Sequence, residues 1–276
     1  MRISHKSNAA TGGASAHRGG GIDFVYLLEG EEGALDNYML GLVSTESYTA
    51  PRHRHNFEQV RIMIKGEFGF GPGKVQDEGS VGYFCEGMPY TQRGDAFSTT
   101  LLLQVAGPSG SGYMSNRQLR QGVAELQKIG VFEDGVYSYV DENGVKHNQD
   151  GYEAAWEHIN AREIVYPEPQ YDAPIILRPD RFSWHAVEGQ KGCSIRELGR
   201  FNDRGLSLAQ VRVDAGNSWV HEAGERLWLL YFTEGEGTAD GERWGAESAI
   251  ELGKGEAIQL DCEEQALFYL IGLPQF

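Results

Sequence analysis

From Ile22 onward, short apolar runs alternate with clusters of turn residues. Phe24 to Leu28, Tyr38 to Val43, Val60 to Ile64, Val81 to Phe84 and Thr99 to Val105 are each bounded by Gly, Pro, Asp or Ser. Runs of this length between turn signals predict strands. The rhythm returns later in the chain, at Cys193 to Leu198, Ser207 to Val213, Leu227 to Phe232, Ala257 to Leu260 and Ala266 to Ile271. Two stretches of similar length, each with a Gly-rich turn halfway, predict one all-β fold used twice.

The block from Gly107 to Pro174 has a different period. Ser115 and Gln118 have the spacing of a capping box, Leu119, Val123 and Leu126 recur at helical spacing, and Gly130 offers a stop. Asn143-Gly144 between Tyr137 to Val140 and Val145 predicts a tight hairpin, because that pair tolerates positive φ. Asp150 and Glu153 open a second helix whose face carries Tyr152, Trp156 and Ile159, and Pro167, Pro169 and Pro174 follow it. The expected organisation is therefore a flexible leader over 1–21, a barrel over 22–106, a partly helical linker over 107–174 and a second barrel over 175–276.

Composition narrows the partners. The 276 residues carry 24 basic and 40 acidic side chains, a formal charge of -16. Such a surface repels phosphate backbones and anionic lipid, so neither nucleic acid nor membrane is an expected partner. No apolar stretch approaches the roughly 20 residues of a membrane span, and the leader, with His5 and His17, has no apolar signal core. Cys85, Cys193 and Cys262 are widely spaced and odd in number, which fits a reducing, cytoplasmic setting and inert buried thiols. A small-molecule substrate and a second copy of the chain, giving a homodimer through uncovered sheet edges, are the partners expected.

The residues that carry chemistry lie in Pro51-Arg52-His53-Arg54-His55-Asn56-Phe57-Glu58-Gln59-Val60-Arg61-Ile62-Met63-Ile64-Lys65-Gly66. On a strand, His53 and His55 project the same way, close enough to share one ion, and neutral imidazole is a common transition-metal ligand. Gln59, Arg61 and Met63 share their parity, while Glu58 has the opposite one and reaches that face only through a bulge. A guanidinium inside a barrel must be paired, so Arg61 meets either an internal carboxylate or an acidic or enolate-like oxygen on a substrate. Arg52 and Arg54 point outward. Gly69 to Lys74 lacks phosphate-loop spacing, and Gly110-Ser111-Gly112 lacks the strand-to-helix turn of a nucleophile elbow.

This segment resembles the first motif of the cupin superfamily, G-x5-H-x-H-x3,4-E-x6-G. Gly79-Ser80-Val81-Gly82-Tyr83-Phe84-Cys85-Glu86-Gly87-Met88-Pro89-Tyr90 resembles the second, G-x5-P-x-G-x2-H-x3-N. The resemblance covers about residues 22 to 107. It implies a double-stranded β-helix, or jelly roll, with a divalent transition metal at the barrel mouth. Its ligands would be His53, His55, Gln59 in the place of the family's glutamate, with Glu58 as the alternative, and Tyr90 in the place of its last histidine. Ser47, Cys85 and Gly94 stand where the motifs have Gly, Pro and Asn. The second half has no such set: Trp228 falls at the glutamate position, His221 with Glu225 is an isolated pair, and Asp261-Cys262-Glu263 has no histidine.

The expectation is a bicupin enzyme acting on a small organic substrate in the N-terminal barrel. Iron(II) is the preferred metal, with zinc, manganese or nickel as alternatives. The reaction expected first is dioxygenase cleavage of an enolizable or phenolic compound, with Arg61 steadying its negative oxygen, Tyr90 handling a proton, and Met63 with Tyr83 or Phe84 as pocket wall. A non-redox isomerase or lyase, and a metabolite-binding module without turnover, are the other readings. Each remains open because one fold hosts many reactions.

Overall fold

The computed structural model describes residues 1–13, 21–94 and 96–276. His17 lies outside the described residues. Two compact units emerge, one of Thr11–Val25 and Gly30–Ile176, the other of Met1–Ala10, Tyr26–Glu29 and Leu177–Phe276. Among the described residues, no helix is long and apolar enough to cross a membrane.

In the first unit the apolar runs become antiparallel strands of two sheets. Phe57–Lys65 is an interior strand of one, paired with Val81–Phe84 on one side and with Ser98–Ala106 on the other, beyond which comes Tyr38–Thr45. The other sheet runs Tyr48–His53, Tyr90–Gly94, Glu67–Gly71, Lys74–Asp77. Met63 and Phe84 of the first sheet meet Phe68, Phe70 and Tyr90 of the second in one buried cluster, so the sheets enclose an interior. Both faces of Phe57–Lys65 are covered, since every residue from Phe57 to Met63 is buried. Gly66 then turns the chain at φ 77°, where an added Cβ would fall 2.7 Å from the Phe97 carbonyl oxygen. Only glycine suits that position without strain.

The strand expected to carry both histidines is not continuous. Tyr48–His53 ends in one sheet and Phe57–Lys65 begins in the other, with Arg54 to Asn56 forming the corner between them. Parity arguments therefore hold for Gln59, Arg61 and Met63 but cannot be carried across to His53.

Residues 107–174, expected as a linker, belong largely to this same compact unit. Helix α1, Asn116–Leu126, carries the complete Ser115/Gln118 capping box and buries Leu119, Val123 and Leu126. A three-stranded sheet of Gly130–Glu133, Val136–Val140 and Lys146–Asp150 follows, its Asn143-Gly144 turn held by the Asp141 carboxylate accepting from the amides of Asn143 and Val145. Helix α2, Gly151–Asn160, is capped by the Asp150 carboxylate and buries Tyr152, Ala155 and Trp156.

The second unit repeats the two-sheet plan. Its larger sheet runs Arg2–His5, Ser248–Leu252, Trp228–Glu234, Ala266–Gly272, Ser207–Val213, Cys193–Arg200, His185–Ala186, and its smaller one Ser218–His221, Ile258–Cys262, Glu236–Ala239, Glu242–Gly245. Arg2–His5 was expected as flexible leader. It instead forms a strand along Ser248–Leu252, and His5 Nδ1 lies 3.0 Å from Ser248 Oγ. Its two sheets meet in a buried cluster of Trp219, Leu230, Phe232, Trp244, Ile250, Leu260 and Phe268. Cys193 and Cys262 are part of that core, and burial pushes the Cys262 thiol up to about 12, so it is inert at neutral pH.

Candidate functional site

Four side chains of the first barrel gather where the two sheets meet at the corner. His53, the last residue of its strand, stands opposite Tyr90 in register, and the two ring centroids are 4.6 Å apart. The register slips just beyond, between Tyr90 and Gln92, a bulge that ends regular pairing beside the histidine. His53 Nδ1 lies 2.7 Å from the carbonyl oxygen of Pro51. A carbonyl only accepts, so Nδ1 carries the hydrogen and Nε2 keeps its lone pair.

His55 stands past the corner with its ring centroid 5.0 Å from that of His53 and the planes 78° apart. It stacks on Phe57 at 4.5 Å and meets Tyr152 of α2 edge-on at 5.3 Å. The Tyr152 hydroxyl donates to the buried Asn56 side chain at 2.9 Å, which fixes the corner from the helical side. Tyr113 adds a third aromatic edge against Phe57 at 5.2 Å. Tyr113 and Tyr152 were missed by sequence reasoning, because nothing local says that a helix some hundred residues on closes over the histidines. The only signal was the Asp150 cap, which set where Tyr152 sits on its own helix.

Deeper in the barrel, Gln59 Oε1 accepts two hydrogen bonds, from Arg61 Nε at 2.9 Å and from the Tyr90 hydroxyl at 3.1 Å. Arg61 is only 6% exposed. Its guanidinium lies over the Phe68 ring at 4.4 Å, with the Phe84 and Tyr90 rings at 5.7 and 5.8 Å. Cation–π contacts are worth about 0.5 to 2 kcal/mol each, well short of the several kcal/mol that desolvating a cation costs. Among the described residues no carboxylate pairs with it. Met63 lines the same face, its sulfur accepting from Thr100 Oγ1 at 3.2 Å.

Two expected positions are corrected. Glu58 and Tyr83 lie on the opposite face of the sheet, where the Tyr83 hydroxyl donates to Glu58 Oε1 at 2.6 Å. Glu58 therefore cannot join the histidines as a ligand. Tyr83 is no pocket wall either; it stands opposite Val60, whereas Phe84 stands opposite Gln59 and takes the interior place. Burial first, then the Glu58 carboxylate, pushes the Tyr83 phenol far above the usual tyrosine range. A raised pKa means the folded state holds a proton that the unfolded chain releases, so this contribution is present below pH ~10 and lost as pH rises beyond it. Tyr83→Phe is expected to cost about 1–3 kcal/mol at pH 7, by withdrawing a donor from a buried acceptor, and to flatten the loss of stability above pH ~10. Urea midpoints measured across pH 7 to ~11 for both proteins check this; a variant curve parallel to the wild type contradicts it.

Set against a divalent ion, the donors divide. The two imidazoles have the spacing: metal–nitrogen bonds of about 2.0–2.1 Å from nearly perpendicular rings bring centroids to roughly 4–5 Å, and theirs are 5.0 Å apart. A ligand histidine also typically hands its other N–H to a backbone carbonyl, as His53 does. Gln59, expected as a third ligand, has both lone pairs of Oε1 engaged by Arg61 and Tyr90, so it organises the interior instead. Tyr90 spends its hydroxyl hydrogen on the same oxygen. Among the described residues no cluster of three His, Cys, Asp or Glu forms. The chain thus offers two nitrogen ligands, with the Tyr90 phenol oxygen keeping its lone pairs beside them, and leaves the other coordination positions to oxygens from outside.

Outside the corner, a cavity of about 490 Å³ borders His53 and is lined among others by Arg52, Arg54, Asp150, Glu153 and Tyr166. Arg54 is exposed, as its outward parity predicts, and its guanidinium lies over the Tyr166 ring at 4.1 Å. Burial, followed by the charges of Glu153 and Asp150, pushes the Tyr166 phenol well up, while burial raises Glu153. In the second unit, His221 is flanked by Trp219 at 5.4 Å and Trp228 at 4.8 Å, and burial lowers its pKa. It packs as a core-edge histidine rather than as a ligand.

Comparison with solved structures identifies the architecture. A protein from Nostoc punctiforme provisionally assigned as a dioxygenase superposes with a TM-score of 0.65 at 9% identity, over 98% of this chain and 81% of its own. Bacillus subtilis oxalate decarboxylase, described with Mn(II) centres, gives 0.58 at 14% over 100% and 78%, and GK1651 of Geobacillus kaustophilus gives 0.57 at 13% over 99% and 95%. The fold is the all-β jelly roll of the cupins. No family profile and no curated protein matches the sequence. At these identities the likeness carries the fold and not the chemistry.

Proposed function

We propose that the N-terminal barrel is the reaction chamber of a metal-dependent enzyme acting on a small organic compound, with His53 and His55 as the protein's metal ligands. The observation that carries this reading is the bond from His53 Nδ1 to the Pro51 carbonyl, which leaves Nε2 as a lone-pair donor beside a second, nearly perpendicular imidazole. A divalent ion held there supplies Lewis acidity and, as iron(II), access to dioxygen chemistry. The chain's own residues do the rest. Phe68, Phe84 and Tyr90 keep water from the interior, Gln59 fixes the directions of Arg61 and Tyr90, and the Tyr90 hydroxyl holds its proton toward Gln59 Oε1, its ring beside that of His53.

With two protein ligands, the remaining positions suit a substrate that binds through oxygens. This favours iron(II)-dependent dioxygenase cleavage of an enolizable or phenolic compound, in line with the assignment carried by the Nostoc neighbour. Non-redox lyase or isomerase chemistry is the second reading, supported by the likeness to oxalate decarboxylase. Protein stripped by chelator and reloaded with iron(II), manganese(II) or zinc(II) is the test, against a panel of phenols and β-diketones. Oxygen uptake with iron alone is the expected result. Anaerobic turnover with manganese or zinc moves the assignment to the lyase reading, and tight binding without product under every metal overturns the enzymatic one.

A further inference from the structure

We propose that Arg61 forms an anion subsite and that the compound taken into the barrel is a flat carboxylate. This deepens the reading above by naming the substrate class; it rests on the interior being a binding chamber and not on a metal being held there.

Two ways of satisfying a buried guanidinium were open from the sequence, and the structure removes the first. Glu58 and Glu86 are the buried acids of this unit. Glu58 lies behind the strand with Tyr83. Glu86 is held by Ser109, whose amide and hydroxyl donate to its two oxygens at 2.6 and 2.8 Å. Neither is paired with Arg61. The hydrogen bond that Arg61 makes uses Nε, toward Gln59, so both terminal nitrogens of the fork have no acceptor among the described residues.

Those two nitrogens present parallel N–H donors, the arrangement that binds a carboxylate through both oxygens. Gln59 keeps the fork from rotating, because its Oε1 is pinned from the other side by Tyr90. The surroundings select the remainder of the ligand. Phe68, Phe84 and Tyr90 ring the guanidinium, so the carbon skeleton next to the carboxylate meets aromatic faces, which favours a planar, unsaturated one. An anion also enters without a carboxylate to repel it on this face.

Benzoate and its neutral isostere benzamide separate charge from shape. Calorimetric titration of chelator-treated protein is expected to show benzoate binding at least tenfold more tightly than benzamide, and Arg61→Gln is expected to abolish that difference. Arg61→Lys, which keeps the charge but not the fork, is expected to retain only part of it. Equal affinity for the two probes in the wild type overturns the proposal, as does undiminished benzoate binding by a folded Arg61→Gln protein. Should Arg61→Gln fail to fold, the wild-type ratio decides alone. Because the titration is done without metal, its failure is distinct from failure of the metal-reloading assay.

Discussion

A chain carrying both His53→Ala and His55→Ala is expected to be purified with less than about a tenth of the wild-type metal, and to lose turnover by more than roughly a hundredfold. The size of the effect follows from the donor count. Gln59 Oε1 is committed to Arg61 and Tyr90, and Glu58 faces away, so neither can stand in for a missing imidazole. Each single variant should already lose most of the metal, since one nitrogen ligand cannot hold an ion against buffer. The stability cost should be small, about 1–2 kcal/mol for the pair, because both rings lie at the rim of the interior rather than in its packed cluster. Elemental analysis beside a urea melt separates the two quantities. Equal stoichiometric metal in wild type and double variant would place the ion elsewhere.

Phe232→Ala is the second large effect, expected to destabilise the C-terminal unit by about 3–5 kcal/mol. The side chain is fully buried, stacked on Trp244 at 4.1 Å and against Phe268 at 5.1 Å. It sits on a strand whose neighbours on both sides are themselves core strands, so the backbone has little freedom to collapse into the void. Four of the chain's five tryptophans, Trp184, Trp219, Trp228 and Trp244, lie in this unit, which makes its unfolding visible by fluorescence. A urea midpoint within about 0.3 M of wild type would contradict the prediction.

The fold was legible because strand rhythm is a local property. Runs such as Val60 to Ile64 and Ala266 to Ile271 are apolar throughout, as strands covered on both faces require, and the Ser115/Gln118 box and the Asn143-Gly144 turn are short-range signals that survive any tertiary context. Parity within Phe57–Lys65 likewise put Gln59, Arg61 and Met63 on one face. It failed where the chain changes sheets. His53 and His55 approach through a corner, not through alternation, and Tyr83 and Phe84 were not told apart because their register against Gln59 is set by pairing. The readings that failed most clearly concerned long-range packing: Arg2–His5 pairs with a strand some 240 residues away, and Tyr152 reaches the histidines from a segment that looked like a connector.

That last contact alters what counts as the smallest working piece of this molecule. Since the corner between the sheets is tied to α2 through Asn56 and Tyr152, the mouth of the first barrel is held partly by a helix from outside its own strands. A barrel cut from the chain without α2 is therefore expected to lose the fixed geometry of the His53–His55 corner while keeping its strands.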